Sequence, residues 1–340
     1  MNIKRKIFKS ISFPVLCGIL VLISKLAAIE ITENLRVVWS FATAIDSIDY
    51  SILPRSNDSE YTPRIGLALS GGGLRGVAQI GVLTALEEAR IEVDRIVGTS
   101  IGGAIGALYA SGYTPDEILD IVYKTDWSTL LSDSPKRSLL FLGEKEKRAR
   151  ALIQFRVDHF EPVIPEAYSP GQKIYNTFTD LVLNSYYQSA DFENLKIPLT
   201  IISTDMVTGQ KVVLKKGNLA QAMRATVAIP LLFAPVQMDG LALVDGGVIS
   251  NIPVEDTRAL GADIVIAVDT TSPLRGVENL QAPWEIADQI TTIMQQKNDL
   301  AQMQQADIQI SFADLKIVST DLKAIDFLYQ QGIQRTREKI

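Results

Sequence analysis

Ile96-Val97-Gly98-Thr99-Ser100-Ile101-Gly102-Gly103-Ala104 is the stretch on which the reading of this chain turns. Ile96-Val97 leads as a short apolar strand, and Gly103, Ala104, Gly106 and Ala107 open a small-residue helix that runs through Ala110 and can approach a sheet closely. Ser100 therefore stands on a strand-to-helix turn of the G-x-S-x-G type. Such a turn strains the backbone and lifts the hydroxyl to where it can attack an acyl carbonyl, and glycines at 98 and 102 remove side chains that would clash. A serine nucleophile also needs a base, usually histidine. The 340 residues contain a single histidine, His159, in Phe155-Arg156-Val157-Asp158-His159-Phe160, which lacks the turn signals that frame a catalytic histidine loop.

Immediately upstream, Ile65-Gly66-Leu67-Ala68-Leu69 reads as a strand and Val77 to Ala89 as a helix, with Gly71-Gly72-Gly73-Leu74-Arg75-Gly76 between them. Glycines there let backbone N–H groups converge at a helix N-terminus, where a developing negative charge is stabilised. The letters also satisfy G-x-G-x-x-G. A dinucleotide site, however, wants an acidic residue at the end of the next strand; here Asp94 precedes Ile96-Val97 and the strand ends in Gly98-Thr99-Ser100. No Gly-Lys-Ser/Thr closes the loop as a phosphate-binding motif would.

Downstream, Leu243-Val244-Asp245-Gly246-Gly247 sets an aspartate at the end of an apolar strand. In an open α/β sheet that end is where functional groups gather, so Asp245 is the candidate base; the alternative is a turn-forming Asp bonded to its own backbone. Further strands are expected at Leu199–Ser203, Lys211–Leu214, Leu241–Val244, Ile264–Val268 and Ile308–Ser311, and helices at Leu219–Ala225, Pro253–Leu260 and Trp284–Gln304. This alternation predicts an α/β fold with a mainly parallel sheet and helices on its faces.

The N-terminus reads differently. Lys4, Arg5, Lys6 and Lys9 precede an almost wholly apolar run from Ile11 to Ser24, the pattern of an export signal cleaved near Ala27 or Ala28, or of an uncleaved membrane anchor. Either assigns the protein to the cell envelope, periplasmic, secreted or anchored. Losing residues 1–28 leaves 28 basic against 39 acidic residues and removes Cys17, the only cysteine, and with it disulfide and thiolate chemistry. An acidic chain without a basic stripe excludes nucleic acid as a partner. Residues 29–62 are expected to form an amphipathic helix through Ile31, Leu35, Val38, Ala42, Ile45 and Ile52, then a linker at Ser56-Asn57-Asp58-Ser59. The main domain spans 63–335, within which 125–172 is irregular and cap-like. No D-x-D-x-D-G calcium loop occurs, so neither a metal nor a cofactor is expected. Nothing in the sequence speaks to oligomeric state.

Taken in order, Gly71-Gly72-Gly73-Leu74-Arg75-Gly76, Gly98-Thr99-Ser100-Ile101-Gly102, Ala225-Thr226-Val227-Ala228-Ile229-Pro230 and Asp245-Gly246-Gly247 resemble the signature blocks of the patatin-like phospholipases. Ala306-Asp307-Ile308 and the segment from Ala324 to Gly332 resemble the closing part of bacterial members. The resemblance implies a three-layer α/β/α sandwich and a Ser-Asp dyad that hydrolyses lipid acyl esters without a metal, at a membrane surface. It casts Ser100 as nucleophile, Asp245 as general base and acid, and Gly71, Gly72, Gly73 and Arg75 as the oxyanion loop. A catalytically silent lipid-binding envelope protein is the alternative.

Overall fold

The structure is a computed structural model that describes residues 62–133, 156–158, 161–163, 167–277, 280–315, 317 and 324–340. The expected export signal or anchor, the amphipathic helix and linker before Thr62, much of the cap-like subregion, and His159 lie outside the described residues.

The chain from Thr62 onward opens with β1 (Ile65–Leu69), a one-turn 3-10 helix (Gly73–Gly76) and α1 (Val77–Glu88). It continues through β2 (Arg95–Thr99), α2 (Ile101–Ala110), α3 (Pro115–Lys124) and α4 (Trp127–Ser132) to a small antiparallel hairpin, β3 (Arg156–Asp158) and β4 (Glu161–Val163). There follow α5 (Gln172–Leu183), β5 (Leu199–Asp205), β6 (Lys211–Leu214), α6 (Leu219–Thr226), β7 (Val236–Met238) and β8 (Leu241–Asp245). The last elements are α7 (Val254–Ala259), β9 (Ile264–Asp269), α8 (Pro283–Gln304), β10 (Ile308–Ser311) and α9 (Ile325–Arg337).

Eight strands form one mixed sheet. β10, β9, β1, β2 and β5 run parallel in that order, as their near-continuous apolar sequences demand of strands covered on both faces. Alternation along a strand then sends neighbours to opposite layers. Leu67 and Leu69 of β1, with Ile266 and Val268 of β9, join the core formed with α1, α2, α6 and α9. Ala68, Val265 and Ala267 join a second core with Val254 of α7 and Met303 of α8. The sheet is thus the middle of three layers.

The sheet turns mixed at β5. Ile201 and Ile202 of β5 pair with both β2 and β6, whereas Ser203 and Thr204 pair with both β6 and β8. A residue offers one partner on each side, so β6 occupies one edge of β5, and β2 and β8 share the other, end to end. β2 stops at the pair Thr99–Ile202 and antiparallel β8 begins at the pair Asp245–Ser203. The C-terminal ends of β2 and β8 consequently meet head-on.

Candidate active site

Ser100 follows β2 with φ 54° and ψ −128°, a conformation that costs an L-residue on the order of 1–3 kcal/mol and persists only when the surroundings enforce it. The enforcement is visible. A methyl group on Gly98 would lie 2.5 Å from the carbonyl oxygen of Gly102, and one on Gly102 would lie 2.5 Å from that of Leu69, so both positions exclude side chains. The Ser100 N–H donates to Thr226 Oγ1 at 2.8 Å, and that hydroxyl donates in turn to the Ile202 carbonyl at 2.5 Å. Thr99 Oγ1 donates to the carbonyl of Ser250 at 2.9 Å, tying the elbow to the segment after β8.

The end-to-end meeting of β2 and β8 brings Ser100 against Asp245. Ser100 Oγ donates to Asp245 Oδ2 at 2.6 Å, with the two residues only 7% and 6% exposed. The other carboxylate oxygen, Oδ1, accepts the N–H of Gly247 at 2.7 Å, so the aspartate is at once the turn-former and the partner of the serine. β8 is pinned to β5 by Ser203 Oγ, which donates to Val244 O at 2.6 Å, and by Thr204 Oγ1, which donates to Asp245 O at 3.1 Å. Burial pushes the Asp245 carboxyl up to about 7; the hydrogen bonds from Ser100 and Gly247 pull against this, and the negative charge of Asp288 adds to it. The result is a carboxylate whose basicity approaches that of imidazole.

The glycine loop sits beside the dyad. A methyl on Gly71 would fall 3.1 Å from Ser100 Cβ. Its amide is already committed, donating to Asn251 Oδ1 at 3.1 Å and approaching Asn251 O at 3.3 Å. Asn251 also binds the carboxyl of Asp299 on α8, which burial raises to about 7. Gly72 has φ 154°, and a side chain there would meet the Thr270 carbonyl at 2.0 Å. Among the described residues the amides of Gly72, Gly73 and Ile101 have no hydrogen-bond acceptor, as expected of a tight turn and of the first turn of a helix.

Arg75 is fully buried and its guanidinium is turned to the ends of β9 and β10. Nε donates to Thr270 O at 3.1 Å, Nη1 to Leu315 O at 2.7 Å and Ile317 O at 3.1 Å, and Nη2 to Phe312 O. It anchors the loop from behind through backbone carbonyls, and its side chain is engaged there rather than in a surface salt bridge. Gln79 and Thr270 complete the anchorage: Gln79 Nε2 donates to Ser70 O at 2.7 Å and Thr270 Oγ1 to Gly71 O at 3.1 Å.

Two roles escaped the sequence reading. Ala225 to Pro230 was assigned none of its own, yet it braces both halves of the dyad, Thr226 holding the Ser100 amide and Ala228 O accepting the Asp245 N–H at 3.0 Å. Asn251, six positions past Asp245, connects the glycine loop to α8. The ATVAIP block could have flagged the first; only spatial proximity reveals the second. No group of three or more His, Cys, Asp or Glu suited to hold a metal occurs among the described residues.

The family model described as patatin-like phospholipase matches residues 67–258, which contain Gly71 to Arg75, Ser100, Thr226 and Asp245. An uncharacterized NTE family protein of Mycobacterium tuberculosis is 32% identical over 228 residues, covering 66% of this chain and 55% of the relative. A lysophospholipase of Aspergillus niger is 32% identical over 212 residues, covering 61% of this chain and 12% of that protein. The chain thus spans about half the mycobacterial relative and a small part of the fungal one. Among solved structures, VipD from Legionella pneumophila superposes with a TM-score of 0.47 at 13% identity, over 82% of this chain and 66% of that one.

Proposed function

The chain belongs to the patatin-like phospholipase family, and from that premise we propose that it is a serine acyl hydrolase that cleaves carboxylic esters of lipids through Ser100 and Asp245. The observation that carries the proposal is the buried 2.6 Å hydrogen bond from Ser100 Oγ to Asp245 Oδ2.

In the proposed cycle Asp245 takes the Ser100 proton as Oγ bonds to the ester carbonyl carbon. The carbonyl oxygen becomes an oxyanion facing the free amides of Gly72, Gly73 and Ile101, at the positive end of α2. Collapse breaks the ester C–O bond, the departing alcohol takes the proton from Asp245, and an acyl-Ser100 enzyme remains. Water then attacks the acyl carbon while Asp245 accepts its proton; the fatty acid leaves, and Ser100 recovers its hydrogen. Each oxyanion donor is worth about 2.7–4 kcal/mol of transition-state stabilisation in comparable sites, so the loop ranks with the base in importance. The similarity to a fungal lysophospholipase supports a lipid ester as substrate. The basic and apolar N-terminal pattern supports delivery to the cell envelope, where such esters lie at a membrane surface.

The test is hydrolysis of a p-nitrophenyl ester chain-length series and a labelled phospholipid by the full chain in EDTA, beside Ser100→Ala, Asp245→Asn and His159→Ala. Wild type and His159→Ala are expected to be active and the other two nearly silent. A folded wild type inert toward every ester would favour the silent lipid-binding reading; a dead but folded His159→Ala would overturn the dyad.

A further inference from the structure

α8 is built inside out. A helix on the flank of a sheet ordinarily turns apolar residues inward and polar ones to water. Here the buried positions include two glutamines: Gln295 Nε2 donates to Val248 O at 2.5 Å, and Gln302 Oε1 accepts the Glu255 N–H at 2.8 Å. On the outside, Ile286, Ile290, Ile293, Met294 and Leu300 are between 46% and 71% exposed. At 3.6 residues per turn these five lie within about 120° of the circumference, in a stripe about 20 Å long. A solvated helix has no reason to keep such a stripe, and its continuity marks a contact surface rather than scattered exposed side chains.

Charge and position select the occupant. The protein is acidic, yet the three carboxylates of α8 lie outside the arc of the stripe: Glu285 is bonded to the amides of Gln281 and Ala282, Asp288 is paired with Arg275, and Asp299 is drawn inward to Asn251. The exposed charge on this helix is Lys297. An arc free of carboxylates, one cation and an apolar stripe suit the surface of a lipid bilayer. α8 itself reaches the turn just after Asp245, since Gln295, on the buried side of the helix opposite the stripe, donates to Val248 O. At the N-terminal end of α8, on the side of the helix away from the stripe, Trp284 packs on Tyr168 with ring centroids 4.9 Å apart.

We propose that the outer face of α8, from Ile286 to Leu300, is the surface on which this protein seats on lipid. This rests on the lipid-ester reading of the site and adds to it the face that meets the substrate's aggregate.

The test uses the full chain with two readouts. In the first, Ile293→Cys on a Cys17→Ser background carries a nitrobenzoxadiazole label and is mixed with vesicles of phosphatidylcholine and phosphatidylglycerol; Gln334→Cys, on the far α9, is the control. The label at 293 is expected to brighten, shift to the blue and be quenched by doxyl lipid, and that at 334 to stay unchanged. In the second, Ile290→Ser/Ile293→Ser is expected to hydrolyse soluble p-nitrophenyl butyrate like wild type and phosphatidylcholine in vesicles at least about tenfold more slowly, the loss expected when two apolar side chains no longer enter lipid. A label at 293 that stays in water, or a vesicle rate unaffected by the serines, overturns the proposal while leaving the hydrolase standing. A label shielded before lipid is added overturns it in favour of a second copy where shielding grows with protein concentration, and of residues 29–62 of the same chain where it does not. Wild type inert toward all esters removes the hydrolase reading, and label insertion then still decides the role of the stripe.

Discussion

Ser100 and Asp245, 145 residues apart in the chain, are brought within 2.6 Å by two consecutive residues of one strand: Ile202 pairs with Thr99, the residue before the serine, and Ser203 pairs with the aspartate itself. The dyad is therefore a property of sheet topology. β5 serves as a ruler along one edge of which β2 and β8 abut, and the Ser100–Asp245 hydrogen bond closes the joint.

The raised Asp245 carboxyl sets the pH dependence. The base must be ionised to accept the Ser100 proton, so kcat/KM for a soluble ester should rise with pH through about 7 and level off above it. Asp288→Asn removes a negative charge that disfavours ionisation, so its acidic limb should move to lower pH, as a rate profile of the two enzymes will reveal.

The same burial implies that function costs stability. Unfolded, the carboxyl ionises near 3.8; folded, only near 7. Folding thus favours the protonated form: the stabilisation is complete below 3.8 and is lost as pH rises from there through about 7. Asp245→Asn cannot ionise, so thermal melts should find it more stable than wild type at pH 8, with the gap closing toward pH 4, while activity falls by about 10²–10⁴-fold.

How much of this was legible in the sequence follows from what each feature depends on. Local chemistry announced itself: the expected strands at Lys211–Leu214 and Ile308–Ser311 are found with those ends, and α2 and α8 fall where their patterns placed them. Ser100 and Asp245 stood out through the glycines around them. Nothing local, however, says that β8 runs antiparallel against the end of β5, since a run such as Leu241–Asp245 pairs equally well in either direction. α9 was not expected as a helix; it is held on α1 by contact of Gly332 with Gly81, where a methyl on either would come within 2.1 Å of the facing backbone. For Arg75 the motif left open whether it fixes the glycine loop or faces a head group, because the four carbonyls that hold it come from parts of the chain far beyond any motif.

Thr226 should behave as a positioning residue. Thr226→Val leaves the buried Ser100 N–H and Ile202 carbonyl unpaired, at about 1–3 kcal/mol each, and frees the strained elbow to relax. A drop in kcat with little change in KM is expected, and Thr226→Ser, which keeps the hydroxyl, should restore most of it.

Arg75→Met removes the cation that gathers the carbonyls of Thr270, Phe312, Leu315 and Ile317 behind the glycine loop. Hydrogen bonds to charged groups contribute about 1.5–3 kcal/mol each, so chemical denaturation should find a loss of at least about 3 kcal/mol. Activity should fall by the same factor on a neutral p-nitrophenyl ester and on a phospholipid. A rise in KM confined to the phospholipid would assign Arg75 to the head group instead.

The most direct measurement is to trap the covalent intermediate: quench wild type, Ser100→Ala and Asp245→Asn within the first turnovers on a slowly deacylating p-nitrophenyl ester, and locate the added acyl mass by peptide mass spectrometry. An acyl group is expected on the Ser100 peptide in wild type, none in Ser100→Ala, and greatly slowed acylation in Asp245→Asn. Turnover by wild type with no acyl group on Ser100, or with one on another residue, would contradict the dyad mechanism.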